Sequence, residues 1–210
     1  MYKPMRKITN RRSRKVIGLF YSFKTKKHVP WEERLEKDFV YFPEFDKSVL
    51  EFYSQPMKIE YTYKSKNRVY TPDYLLIKID RRIVVEVKPE KKLKELEKKY
   101  SIIKAILEKE NYEFLVLTDR FIRKQPRLEN IKRLNRYKTI KIRQFSLKTV
   151  IDYFKSHDMI SGFYESKEEL EKRGVTSNEF FALIFHGYLM IDINEKISWY
   201  SLIALNENII

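Results

Sequence analysis

The sequence predicts an α/β protein in which a mixed sheet, flanked by helices, precedes a smaller C-terminal domain. Apolar and polar residues alternate in short segments between positions 48 and 88, a pattern typical of strands. The segment 90–110 instead places its apolar residues at helical spacing, and an apolar strand is predicted at 114–118. Because a helix that crosses between two strands leaves them parallel, this sheet is expected to be mixed.

A basic arm, expected at residues 1–30, comes before the first predicted helix. The arm holds ten lysine or arginine residues and no acid. The helix is predicted to begin near Pro30, since proline is favoured in a first helical turn, and to end at Pro43. Its apolar stripe at helical spacing consists of Trp31, Leu35, Phe39 and Phe42.

Three extended segments are predicted between this helix and the long helix at 90–110. The first lies within 48–63, and the second covers 69–77, where Pro72 interrupts it. The third, 82–88, is rich in β-branched residues and almost continuously apolar. Such a run is typical of a central strand that is buried on both faces.

The last part of the chain changes in character. Helices are predicted at 147–157, at 168–172 and from the N-cap Thr176 to Phe185, and a hairpin is predicted around Asn194-Glu195. Three helices and a hairpin are typical of a winged helix-turn-helix. Residues 145–210 are therefore expected to form a winged-helix-like domain that is separate from an α/β domain at 31–144.

Charge is distributed unevenly over the 210 residues, whose net charge is +15. Residues 31–150 carry 29 basic and 19 acidic side chains, and 120–148 alone carry eleven basic and one acidic. Residues 151–210 carry five basic and ten acidic side chains. Clustered positive charge favours a polyanionic partner such as double-stranded DNA, with 120–148 as a DNA-facing shelf or linker. The acidic C-terminal part is expected to bind a protein.

Composition excludes several other classes of protein. The chain has no cysteine, so disulfides, thiolate metal sites and cysteine nucleophiles are absent. His28, His157 and His186 lack ligand spacing and are predicted to be structural. Only four glycines are present and no phosphate-binding loop, which argues against ATP hydrolysis. With no membrane-spanning run and no signal peptide, the protein is expected to be cytoplasmic.

The strongest chemical signal is Pro72-Asp73 followed, after twelve residues, by Glu86-Val87-Lys88. Glu86 and Lys88 are two apart on one predicted strand and project to the same face, and an adjacent strand can bring Asp73 beside them. Converging carboxylates repel each other unless a cation neutralises them, and oxygen ligands suit Mg²⁺, with Mn²⁺ as a substitute. The Val87 carbonyl can supply a further oxygen. Lys88 can position water or stabilise charge on a transferring phosphate.

A Glu-x-Lys strand is, taken alone, also typical of a solvated surface, but few buried strands carry such residues unless they line a site. Glu36 is the candidate for a third carboxylate, because it borders the apolar stripe of its helix. It is equally consistent with a charged helix face. Gln55 can hydrogen-bond backbone or DNA, and a structural use is favoured. Tyr70 and Tyr74 are predicted to pack rather than to stack on bases.

At these landmarks the sequence resembles the TnsA-type endonuclease subunit of heteromeric, Tn7-like transposases, which belongs to the PD-(D/E)xK nuclease superfamily. The resemblance covers about residues 31–120. Its landmarks are, in order, Leu35-Glu36, Glu44-Phe45-Asp46 with Val49, Gln55-Pro56, Tyr70-Thr71-Pro72-Asp73-Tyr74, Glu86-Val87-Lys88-Pro89, Tyr100 and Leu117-Thr118-Asp119.

The resemblance implies a restriction-endonuclease-like fold for 31–144 and a Mg²⁺ site. It implies that Glu36, Asp73 and Glu86 are metal ligands and that Lys88 is the catalytic lysine. Such subunits cut the 5′ ends of a transposon, while a DDE-type transposase cuts the 3′ ends and an AAA+ regulator controls assembly. A helical C-terminal domain would contact these partner proteins.

Two other hypotheses remain open at the level of sequence. The chain could be a stand-alone phage, repair or restriction-type nuclease of the same fold, which predicts cutting by the isolated protein. It could also be a non-catalytic DNA-binding module, which predicts metal-independent binding and no cutting.

Overall fold

Two structural units make up the computed structural model, which describes residues 16–209 of the chain. The first unit extends to Lys124 and the second begins at Gln125. This division lies earlier in the chain than the boundary expected between 144 and 145. Residues 1–15 of the expected basic arm lie outside the described residues.

The chain from Gly18 to Trp31 forms a hairpin of two antiparallel strands, β1 (Gly18–Ser22) and β2 (Lys27–Trp31). Gly18 lies under the Trp31 ring, where an added Cβ would stand 2.2 Å from a ring carbon, so the close approach requires glycine. Pro30 belongs to β2, opposite Leu19, and the prediction that it begins a helix is wrong. A two-stranded hairpin tolerates proline because each strand has an edge that needs no donor.

The predicted first helix is instead two short helices, α1 (Arg34–Phe39) and α2 (Tyr41–Phe45). Leu35 and Phe39 are buried, as predicted. Pro43 does not end the helix: it is the third residue of α2, where the first turn has no use for its missing N–H.

The remaining elements of the first unit follow in chain order. They are β3 (Val49–Ser54), β4 (Ile59–Tyr63), β5 (Lys66–Tyr70), β6 (Tyr74–Lys78), β7 (Arg82–Lys88), α3 (Leu93–Lys109), β8 (Tyr112–Thr118) and α4 (Asp119–Ile122).

Four of these strands form one sheet in the order β3-β6-β7-β8. β7 and β8 are parallel and the other pairs are antiparallel, so the predicted mixed sheet is confirmed. Its central strands are buried on both faces: Tyr74 packs with Phe39 of α1 on one side, while Leu75 and Val84 share a cluster with Ile103 of α3 on the other. The α/β class, with a sheet flanked by helices, is therefore the observed one.

The second unit contains four helices and a small sheet among its described residues. In chain order they are α5 (Arg127–Leu134), α6 (Gln144–Lys155), β9 (Ile160–Gly162), α7 (Phe163–Lys172), α8 (Ser177–His186), β10 (Leu189–Ile191) and β11 (Leu202–Leu205).

The second unit differs from its sequence prediction in detail. α5 belongs here because its Leu128, Ile131 and Leu134 are buried and Asn130 Nδ2 donates to the carbonyls of Ile193 and Glu195, at 2.9 and 2.7 Å.

The helix predicted at 168–172 begins at Phe163, and the second strand of the predicted hairpin begins at Leu202 rather than 196. β9, which was not predicted, completes an antiparallel sheet in the order β10-β11-β9. The winged-helix assignment stays a prediction. No helix among residues 16–209 is long and apolar enough to span a bilayer.

Glu179 ties the start of α8 to α6. Its carboxylate accepts hydrogen bonds from Arg143 Nε and Nη2 at 2.8 and 2.7 Å, from Ser146 Oγ at 2.8 Å, and from the N–H of Thr176 in a capping box. The predicted N-cap at Thr176 is confirmed. The hydrogen bonds from Arg143 hold the pKa of Glu179 well below its usual range.

We expect Glu179→Gln to lower the free energy of unfolding of the protein by about 1.5–3 kcal/mol at neutral pH. Glutamine keeps one acceptor oxygen but lacks the negative charge that binds the half-exposed guanidinium of Arg143. Since the pKa of the folded state is depressed, this contribution is present above the usual glutamate pKa and fades as the solution is acidified. Urea denaturation at two pH values measures it. Glu165→Gln, at an exposed position of α7, is the control, and equal losses for both variants would contradict the assignment.

Candidate active site

Asp73 lies just before β6, where the chain leaves the β4–β5 segment and enters the main sheet. Its Oδ2 accepts the backbone N–H of Val87 at 2.8 Å. Its own carbonyl accepts the N–H of Gln55 at 2.8 Å. The backbone pairing of β6 with β7 ends at Tyr74 and Val85. Beyond that pair, the Asp73 carboxylate accepts the N–H of β7 in place of a backbone carbonyl. Both its backbone and its carboxylate are therefore fixed to the sheet.

The side chains of Glu86 and Lys88 project from the same face of β7, and both lie near Asp73. Lys88 Nζ is 3.1 Å from Glu86 Oε1 and 3.4 Å from Asp73 Oδ2. Glu86 is 2% exposed, although it is a carboxylate. The structure thus brings together the three residues that the spacing of the motif selected.

Two tyrosines complete the surroundings of Glu86. Tyr70, the last residue of β5, donates its hydroxyl to Glu86 Oε2, and Tyr100 of α3 donates to Oε1 at 3.2 Å. Burial, followed by the negative charge of Glu86, raises the pKa of both hydroxyls, so they remain neutral donors. Tyr70, which is predicted to pack, thus also hydrogen-bonds Glu86, and the contact of Tyr100 with Glu86 is one that the sequence did not predict.

Glu36 approaches the same site from α1. Its Oε2 accepts the N–H of Glu32 at 2.8 Å, and Glu32 Oε1 in turn accepts Gln55 Nε2 at 2.8 Å. Gln55 adopts a left-handed conformation with φ 47°. Gln55 therefore joins two parts of the site, because its backbone holds Asp73 and its side chain holds the segment that carries Glu36.

The carboxylates of this site repel each other. Burial and then the charge of Glu86 raise the pKa of Asp73 to about 7. Burial and then the charge of Asp73 raise the pKa of Glu36 to about 8. Burial alone would lower the pKa of Lys88, but the charges of Asp73 and Glu86 outweigh it and the pKa is raised. If all three carboxylates were ionised, their negative charge would exceed the single positive charge of Lys88.

This donor set fits a hard divalent cation. Asp73, Glu86 and Glu36 offer carboxylate oxygens and Val87 a carbonyl, and oxygen donors of these kinds suit Mg²⁺ or Mn²⁺. Within residues 16–209, however, no three acidic or histidine side chains lie close enough together to hold a metal ion as a group. The mutual repulsion of the buried carboxylates is the observation that favours a cation, because added positive charge would relieve it.

We expect Glu36→Gln to raise the melting temperature of the protein in metal-free buffer, and to raise it more at pH 9 than at pH 6. The pKa of Glu36 is higher in the folded state than the usual glutamate value, so the wild type loses stability as pH rises toward about 8. Glutamine removes that loss and can still accept the Glu32 N–H. Differential scanning fluorimetry measures the shift.

The control for this prediction is Glu95→Gln, on the exposed face of α3. A difference between wild type and Glu36→Gln that shrinks with rising pH would show that Glu36 is not in the repelling group.

Residues 46–119 match the family model described as TnsA-like endonuclease N terminal. Asp73, Glu86, Val87 and Lys88 lie inside the match, whereas Glu36 and the whole second unit lie outside it. No curated protein matches the chain. The match confirms the resemblance that the sequence landmarks indicated.

Proposed function

We propose that this chain, which carries a TnsA-like endonuclease domain at residues 46–119, is the metal-dependent DNA endonuclease subunit of a heteromeric, Tn7-like transposase. In this role it hydrolyses phosphodiester bonds at the 5′ ends of a transposon. The observation that carries the proposal is the contact of Lys88 Nζ with the carboxylates of both Glu86, on β7, and Asp73, just before β6.

The residues of the site would have two roles, metal binding and stabilisation of charge on the phosphate. Asp73, Glu86, Glu36 and the Val87 carbonyl would hold Mg²⁺ or Mn²⁺. When bound, the cation would supply Lewis-acid polarisation of the scissile phosphate. Without a cation, the neighbouring carboxylates raise the pKa of Lys88. As a positively charged side chain, Lys88 would stabilise negative charge on the phosphate.

The proposed partners are double-stranded DNA, a DDE-type transposase and an AAA+ regulator. The net positive charge of the chain favours DNA, since each neutralised phosphate releases counterions. The excess of acids over bases in residues 151–210 favours protein contacts for the second unit, because it would repel DNA.

The test is nicking of a plasmid that carries candidate transposon ends. Purified protein is incubated with Mg²⁺ or Mn²⁺, alone and together with the proteins encoded by the neighbouring genes. Strand-specific cutting at the 5′ ends that requires those partners is the expected result. Robust cutting by the isolated protein would favour a stand-alone nuclease, and no cutting under either condition would leave a DNA-binding module.

A further inference from the structure

The β4–β5 hairpin stands apart from the main sheet. Within residues 16–209 its two strands pair only with each other, and a two-residue turn joins them. The turn residues, Lys64 and Ser65, have φ values of 50° and 56°. A turn of this kind matches the right-handed twist of the flanking strands.

One face of this hairpin combines aromatic and basic side chains. The register places Tyr61 opposite Arg68 and Tyr63 opposite Lys66. The Arg68 guanidinium lies 5.8 Å and Lys64 Nζ 5.6 Å from the centre of the Tyr63 ring. Residues 64–69 are all exposed, and every charged residue among them is basic. Such a surface matches a polyanion in charge.

The base of the hairpin is fixed to the active site. Tyr70 ends β5 and donates to Glu86, and Asp73 follows three residues later. Ile59 begins β4 and is buried in the cluster that includes α3. The position of the hairpin relative to the catalytic carboxylates is therefore set by buried contacts at one end, while the other end remains in solvent.

Positive charge continues from the hairpin to the active site. Lys99 of α3 places its Nζ 4.2 Å from the centre of the Tyr70 ring. Its charge also acts on Glu86 and on Lys88. Basic groups thus run from the turn of the hairpin to Lys88, a track along which a phosphate backbone can be neutralised.

We propose that the β4–β5 hairpin is a ribbon that lies in a groove of duplex DNA beside the cut site, with Lys66 and Arg68 on the phosphates. The major groove admits a two-stranded β-ribbon. Strands of five residues span roughly 17 Å, about half a turn of duplex. This inference rests on the proposed function, because it takes the polyanion to be the DNA that Asp73 and Lys88 help to cut.

The first test compares salt dependence of binding. A hairpin double variant, Lys66→Gln/Arg68→Gln, is titrated with duplex DNA that contains a candidate transposon end, in metal-free buffer at several salt concentrations. The matched control is a double variant on α3, Lys104→Gln/Lys109→Gln. We expect the hairpin variant to lose about two units of the slope of log K against log salt, and roughly tenfold or more in affinity, with little change in the control. Equal slopes for the hairpin variant and the wild type would overturn the proposal.

The second test locates the hairpin on the DNA. Since the chain has no cysteine, Ser65→Cys gives one unique attachment point for a DNA-cleaving reagent at the turn. We expect reagent cuts confined to one groove within a few base pairs of the scissile phosphate. Binding without such cuts, or with cuts no different from those of Lys109→Cys, would overturn the hairpin proposal.

These two tests do not depend on catalysis. If the protein fails to nick in every condition but the reagent attached at residue 65 still cuts in one groove, the proposed nuclease function fails, and only the placement of the hairpin in that groove stands. If a hairpin variant instead nicks normally and binds DNA as tightly as the wild type, the nuclease function stands and the hairpin proposal fails.

Discussion

Asp73→Asn is expected to reduce strand cleavage by at least about a thousandfold while duplex binding stays intact or becomes tighter. The carboxylate of Asp73 lies against both Lys88 and the Val87 N–H, so it is central to the charge arrangement of the site. Asparagine keeps the shape and can still accept the Val87 N–H, but it lacks the negative charge. Removing that charge also removes a repulsion toward DNA phosphate, which is why binding should not suffer.

The measurement is single-turnover nicking, with partners if they are required, alongside anisotropy of labelled duplex. Asp80→Asn, in the exposed turn before β7, serves as the control and should nick at the wild-type rate. Wild-type nicking by Asp73→Asn would mean that the site has been misassigned.

Lys88→Met is the second large effect that we expect, a loss of about a hundredfold or more in cleavage with binding reduced only a few fold. Methionine retains most of the aliphatic chain and removes the cation that lies 3.1 Å from Glu86 and 3.4 Å from Asp73. Without it, the two carboxylates lose their shared counter-charge, so the melting temperature in metal-free buffer should also fall.

Lys92→Met is the matched control, because Lys92 is an exposed lysine close in sequence. Lys88→Met with full activity, or with unchanged stability, would contradict the contacts described above. A variant that loses stability but still nicks would assign Lys88 to structure alone.

The part of the site that sequence could predict is the part encoded by strand periodicity. Glu86 and Lys88 share a face because they are two residues apart on a strand, and the neighbouring strand delivers Asp73. Beyond this periodicity, the prediction required only that the two strands be neighbours in the sheet. The same local logic predicted that β7 and β8 are parallel, because a helix joins them.

The partners of Glu86 could not be predicted in this way. Tyr70 lies 16 residues before it and Tyr100 lies 14 residues after it, each on a different element. No spacing rule indicates which of the fifteen tyrosines in the chain reaches a particular carboxylate. Gln55 is a similar case, since its contact with Glu32 joins residues 23 apart.

Proline misled the sequence prediction at two positions. Pro30 was interpreted as a helix start and Pro43 as a helix end, yet Pro30 lies in a strand and Pro43 lies inside a short helix. At both positions, proline is tolerated when no backbone acceptor depends on a hydrogen bond from its missing N–H. Whether such an acceptor is present depends on tertiary pairing. The helical spacing of Trp31 and Leu35 arose across a strand end rather than along one helix.

The hydrogen-exchange rate of the Val87 amide depends on the position of the Asp73 carboxylate. β7 has a hydrogen-bonded strand on each side, so local opening that exposes its amides to solvent should require almost global unfolding. The Val87 amide differs from its neighbours because its acceptor is the Asp73 side chain rather than a backbone carbonyl. Its hydrogen-exchange rate therefore reports whether that carboxylate stays in place, in the resting protein and before any DNA is cut.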